Sequence, residues 1–108
     1  MDAALDSQVD AVLARVVGAL DPLEVHLFGS RARGTAAPDS DIDLLVVVDS
    51  PLPLAELTFR ARRALRDLGI AVDLIVVKPE DARRLATWKS SVVAEAFRDG
   101  RKLYAAAS

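Results

Sequence analysis

Phe28-Gly29-Ser30-Arg31-Ala32-Arg33-Gly34, and after it Asp41-Ile42-Asp43-Leu44-Leu45-Val46-Val47-Val48, are the two stretches on which the fold turns. Residues 24–28 are short and apolar and run directly into Gly29-Ser30, which reads as a strand delivering the chain to a turn. Glycine lets a backbone approach a ligand closely. Ser30 suits a helix N-cap, and Gly34 suits the end of a very short helix. A strand that meets a helix start in this way offers backbone N–H groups and a hydroxyl, the groups that hold a phosphate. Arg31 and Arg33 add local positive charge. The bland reading of the same residues is a plain strand-to-helix junction.

Residues 42–48 are almost continuously apolar and β-branched, the pattern of a strand buried on both faces. Asp41 and Asp43 stand two apart at its start, and side chains at that spacing share a face. Two adjacent carboxylates repel unless something positive lies between them. Mg²⁺ takes oxygen ligands and keeps waters and substrate phosphates, so a carboxylate pair suits it. A solvated acidic loop end accounts for Asp39 and Asp41. It accounts poorly for Asp43, which precedes five consecutive apolar residues. Asp73 falls in the middle of residues 70–77, a third candidate buried strand. A buried unpaired charge costs several kcal/mol. A salt bridge to a helix arginine is the ordinary remedy. If the strands 42–48 and 70–77 are neighbours, Asp73 instead reaches the face of Asp41 and Asp43. Three carboxylates beside a phosphate-binding turn give the layout of a two-metal phosphoryl-transfer site, with ions about 3.5–4 Å apart.

The surrounding chain supplies a scaffold. Within residues 6–20, Val9, Val12, Leu13, Val16, Val17 and Leu20 form one apolar helical stripe, ended by Asp21-Pro22. Residues 49–53 form a loop. Residues 54–68 read as a helix with Leu54, Leu57, Ala61, Leu65 and Leu68 inward and Gly69 as C-cap. Residues 80–98 are helical with a break near Thr87-Trp88, closed by Asp99-Gly100. Leu103-Tyr104 adds a short edge strand or docks on the core. The expected class is α/β (α+β): one domain over residues 1–108, a small mixed sheet of about three or four strands flanked by helices.

Composition narrows the function. At 52% hydrophobic and 28% charged, the 108 residues suit a globular domain. The net charge of −2 argues against a long nucleic acid as unaided partner, which calls for a basic excess. A nucleotide carrying Mg²⁺ needs only local positive charge. The absence of cysteine excludes a disulfide framework, a thiolate metal site and a cysteine nucleophile. The first residues are acidic where a signal peptide is basic, and no apolar run reaches the roughly 20 residues of a membrane span. A cytoplasmic location with no membrane partner is expected.

Gly29-Ser30, ten residues, then Asp41-Ile42-Asp43 resembles the Gly-Ser-x₁₀-Asp-x-Asp signature of the polymerase-beta-like nucleotidyltransferase superfamily. The longer string through Leu44-Leu45-Val46 is similar to its minimal nucleotidyltransferase group, many of whose members are antitoxins paired with HEPN-domain toxins. Val72-Asp73-Leu74-Ile75 matches the third acidic position, and Asp99-Gly100-Arg101-Lys102-Leu103-Tyr104 is similar to the family's ending. The resemblance spans essentially the whole chain. It implies that Gly29 and Ser30 hold the β- and γ-phosphates and that Asp41 and Asp43 bind two Mg²⁺ ions. It further implies that Asp73 ligates the catalytic ion and helps deprotonate the acceptor, and it gives Arg33 a phosphate contact. The implied substrate is ATP and the implied reaction AMPylation of a tyrosine on a HEPN toxin.

No second substrate-binding domain is legible, so the acceptor is expected on a partner or in a cleft built by oligomerisation of the chain. Two alternatives remain at this point: an antitoxin that binds by occlusion without catalysis, and the catalytic subunit of a small-molecule or RNA-end nucleotidyltransferase. His26 is read as structural. Arg60, Arg62, Arg63 and Arg66 form a basic helix face, either solvated or directed at an acidic partner or a nucleotide tail. Trp88 is assigned to core or interface, and Tyr104 is a secondary candidate for automodification.

Overall fold

The computed structural model describes residues 3–34, 41–87 and 91–106. Helix α1 (Ala3–Leu20) starts three residues before the apolar stripe suggests, carried by the helix-favouring Ala3-Ala4-Leu5. Its stripe buries Val9, Val12, Val16 and Leu20. It stops where Asp21 takes a positive φ of 47° before Pro22. Strand β1 (Glu24–Phe28) then leads into the one-turn helix α2 (Gly29–Arg33). Strand β2 (Ile42–Val47) is followed by α3 (Leu54–Leu65), a 3₁₀ turn (Arg66–Leu68), β3 (Val72–Val77), α4 (Pro79–Leu85), α5 (Val92–Asp99) and β4 (Arg101–Ala105).

The strands form one sheet in the order β3-β2-β1-β4. β1 runs antiparallel to both β2 and β4, while β2 and β3 are parallel, joined through α3 as a parallel pair requires. The expected small mixed sheet flanked by helices is therefore present. β2 lies inside the sheet and feeds two cores, which explains its unbroken apolar run. Leu44 and Val46 join Val12, Val16, Leu57 and Ala61 on the face covered by α1 and α3. Leu45 and Val47 join Val77, Ala82, Val93 and Ala96 under α4 and α5.

Several expectations need correction. β3 is an edge strand whose later residues feed both cores, Leu74 and Val76 on one face and Ile75 and Val77 on the other, as the expected buried strand would; its first residues, Val72 and Asp73, are half-buried and exposed. The helix expected over residues 54–68 tightens into 3₁₀ geometry after Leu65, and Leu54 is 39% exposed at its first turn. The expected break between residues 80 and 98 is real, with α4 ending at Leu85 and α5 starting at Val92. Ser91 caps α5, its Oγ accepting from the Ala94 N–H at 2.9 Å. Trp88 lies outside the described residues.

The ending is an edge strand, as one of the two expectations had it. A Cβ on Gly100 would lie 2.3 Å from the carbonyl oxygen of Ala96 and 2.6 Å from that of Leu27. Only glycine lets α5 turn this tightly into β4 against β1. Lys102 Nζ stands 3.1 Å from Glu24 Oε1 across this edge. His26 is buried, its ring packed edge-on against Phe97 at 4.6 Å between centroids and its Nε2 3.2 Å from Glu24 Oε2. A structural role is what this packing describes. Tyr104 packs half-buried against the core under α1 and α3.

Candidate active site

The site begins where β1 ends. Phe28 pairs with Asp43 in the antiparallel register, so the next residue, Gly29, sits over the Asp43 side chain. Gly29 adopts a φ of +73°, and a Cβ there would stand 2.2 Å from Asp43 Oδ2. Two independent constraints thus require glycine: a left-handed backbone and a carboxylate pressed against the Cα. The group that comes close to this backbone is the Asp43 carboxylate, where the sequence led one to expect a ligand.

The turn itself differs from expectation in one respect. Ser30 is the second residue of α2, not its N-cap; the cap position is Phe28, which has no side-chain cap bond. The fixed geometry at Gly29 starts the helix one residue early. Gly34 ends it in the left-handed region, as expected.

The two arginines part company. Arg31 is buried, 3% exposed, and its Nη1 donates to Gln8 Oε1 at 3.0 Å. It ties α2 to α1. Arg33 is exposed, with Nη1 3.6 Å from Glu95 Oε1 on α5. The local positive charge expected from both residues therefore comes to the site through Arg33.

In the parallel register of β2 and β3, Asp43 stands directly beside Asp73. The neighbouring strands needed to bring Asp73 onto the face of Asp43 are present. The cost assumed for Asp73 is not, because the residue is exposed on an edge strand. Asp41 precedes β2 and is exposed. The Asp43 carboxyl is held above the ordinary carboxylate value, first by partial burial and then by the charges of Asp73, Asp41 and Glu95, with Arg33 opposing. Burial, ahead of like-charge repulsion, leads this shift. Asp39 and Ser40, within the same motif, fall outside the described residues.

Glu95 was not legible in sequence as a member of this cluster. It lies far from the motif, and its arrival depends on how α5 packs. No sequence signal marks it apart from its place in an amphipathic helix.

The oxygen-only donor set of Asp41, Asp43 and Asp73 suits a hard cation such as Mg²⁺. Among the described residues, however, no three such groups close on a single point. Asp43 and Asp73 are the adjacent pair, and Asp41 stands at the rim. Beyond that rim lies an open cleft of about 460 Å³, lined by Asp41, Arg62, Leu65, Arg66 and the chain from Gly69 to Val72.

A four-stranded mixed sheet with a Gly-Ser turn seated on the first carboxylate-bearing strand defines a nucleotidyltransferase fold. The family model "Nucleotidyltransferase domain" matches residues 9–102, and the chain belongs to that family. A protein of Methanocaldococcus jannaschii, named "Putative protein adenylyltransferase MJ1305", is 38% identical over 69 residues. That match covers 56% of this chain and 45% of the relative, so the chain spans about half the length of the curated relative it matches. Two solved structures share the fold. A nucleotidyltransferase-like protein of Sulfolobus solfataricus superposes with a TM-score of 0.61 at 24% identity, covering 97% of this chain and 89% of that one. A toxin–antitoxin structure with AMP-PNP superposes with a TM-score of 0.63 at 22% identity, covering 90% and 73% respectively. The family resemblance read from the motif is borne out.

Among the described residues no helix is long and apolar enough to cross a membrane.

Proposed function

We propose that this chain is a Mg²⁺-dependent nucleotidyltransferase that moves AMP from ATP onto a hydroxyl of a partner protein. The observation that carries this reading is the seat of Gly29 on Asp43, with Asp73 in register on the next strand. Backbone N–H groups of the Gly29-Ser30 turn bind the β- and γ-phosphates, and Arg33 swings from Glu95 to meet them. Asp41, Asp43 and Asp73 are the residues that hold Mg²⁺. When bound, the ions supply charge neutralisation on the triphosphate.

The acceptor oxygen attacks the α-phosphorus, the bond from that phosphorus to the bridging oxygen breaks, and pyrophosphate leaves. The hydroxyl proton passes to Asp73. Positioning and electrostatics carry the reaction, since the phosphoryl group needs no covalent partner on the enzyme. A protein acceptor is supported by the name of the M. jannaschii relative, and a toxin partner by the toxin–antitoxin neighbour with AMP-PNP. A tyrosine of a HEPN-domain toxin is the acceptor we propose.

The test is label transfer. The chain is incubated with Mg²⁺, host lysate and ATP labelled at the α- or the γ-phosphate, beside Asp41→Asn/Asp43→Asn. A protein band labelled only from α-labelled ATP, and absent with the variant, is expected. A band labelled only from γ would make the protein a kinase. Neutralisation of the toxin by the variant would point to occlusion without catalysis.

A further inference from the structure

We propose that the cleft between Arg62, Arg66 and the chain leading into β3 is the docking groove for an acidic segment of the acceptor protein. This rests on the nucleotidyltransferase reading of the carboxylate site. The sheet order sets the geometry. Gly29 lies at the end of β1, Asp43 on β2 and Asp73 on β3, so the three follow one another across the sheet. The cleft comes next, lined by Gly69 to Val72, the residues just before Asp73. In-line displacement places nucleophile and leaving group on opposite sides of the phosphorus. With the leaving phosphates on the Gly29-Ser30 turn, the acceptor hydroxyl enters from the Asp73 side. Asp73 does not line this cleft; Asp41, the outer carboxylate of the same site, does, and it joins the cleft to the site.

The lining says what kind of acceptor fits. Arg62 and Arg66 stand four apart at the end of α3 and its 3₁₀ extension. The nearby acids are engaged elsewhere: Glu56 with Arg60 at 3.1 Å, and Asp67 with Arg15 at 2.6 Å. Among the described residues Arg62 and Arg66 have no carboxylate partner, in a chain whose net charge is −2. A guanidinium presents a planar fork of donors that matches a carboxylate. The floor is aliphatic, made by Leu65, Ile70 and Val72, and among the described residues that line the cleft there is no aromatic ring on which a base could stack. Single-stranded nucleic acid sites combine basic tracks with aromatic platforms. Two arginines over an aliphatic floor suit a peptide with acidic and apolar side chains. Asp41, the carboxylate on the rim, belongs to the candidate Mg²⁺ set.

The experiment uses the full chain with Mg²⁺ and AMP-PNP and three fluorescein-labelled probes. One is a nonapeptide with a central tyrosine flanked by glutamates, one its glutamine counterpart, and one an oligoadenylate of equal length. Anisotropy is read for wild type, Arg62→Ala/Arg66→Ala and Arg62→Lys/Arg66→Lys. The glutamate peptide is expected to bind, to weaken about tenfold in the alanine variant, and to recover in part with lysine. Added salt should weaken it further. Equal binding by wild type and the alanine variant, absence of binding by the glutamate peptide, or a preference for oligoadenylate would each overturn the proposal. The Mg²⁺·ATP melting shift is recorded for the same proteins. An arginine-dependent peptide site without that shift or any α-label transfer would sink the enzymatic reading and leave the groove standing. Transfer with no effect of the arginines would do the reverse.

Discussion

Gly29 stands so close to Asp43 that a methyl group on it would lie 2.2 Å from the carboxylate oxygen Oδ2. The contact joins the end of β1 to the start of β2 and makes turn and carboxylate one unit. Gly29→Ala would strain a φ of +73° and push Asp43 aside together. The expected cost is about 1–3 kcal/mol of stability, read by urea denaturation. Label transfer should fall to background even in the folded fraction. A variant with wild-type transfer would show that Asp43 need not stand where it does.

Asp43 gives a pH signature. Its folded pKa is raised above the ordinary 3.8, with burial first and Asp73, Asp41 and Glu95 next. The native state then binds more protons than the unfolded one between the two values, so stability falls as pH rises through that window. Without metal, Asp43→Asn should melt above wild type at neutral pH, and the gap should close toward pH 3.8 and below. Mg²⁺ with ATP should raise the wild-type melting temperature and leave the variant nearly unchanged. A variant that melts below wild type throughout the range would contradict the strain assigned to this carboxylate.

Arg31 is placed as a strut. Its buried guanidinium donates to Gln8 at 3.0 Å and so anchors α2 to α1. Arg31→Met keeps much of the apolar stem and removes the donors, and should cost about 1–3 kcal/mol in chemical denaturation. Transfer by the folded protein should drop less than in Gly29→Ala. Full stability together with abolished transfer would reassign Arg31 to the substrate.

Gly100→Ala tests the turn into β4. The added methyl meets the carbonyl oxygens of Ala96 and Leu27, two backbone atoms that cannot swing away as a side chain would. Destabilisation of about 1–3 kcal/mol is expected, with faster amide exchange on β4 than on β2. Unchanged exchange along β4 would mean that the turn tolerates a side chain.

The local chemistry of this chain was legible because it is written in short stretches. The strand running into Gly29-Ser30 is one short stretch and the Asp41–Asp43 pair another, and backbone periodicity alone puts residues two apart on a strand on one face. The apolar run of β2 announced a strand covered on both sides, which two separate cores confirm. Asp73 belongs to an intermediate case. Its presence in a strand could be read, but its exposure could not, since an edge and an interior strand differ only in what pairs beside them.

Other features were decided by tertiary structure alone. Packing sent Arg31 to Gln8 and Arg33 toward Glu95, although the two arginines are nearly adjacent in sequence. Packing of α5 brought Glu95 to the carboxylates, and the parallel pairing of β2 with β3 put Asp43 and Asp73 side by side. Sequence spacing fixes direction within an element, because covalent geometry repeats along it. Which elements meet depends on how distant apolar faces find cover, and that is settled only when the whole core closes.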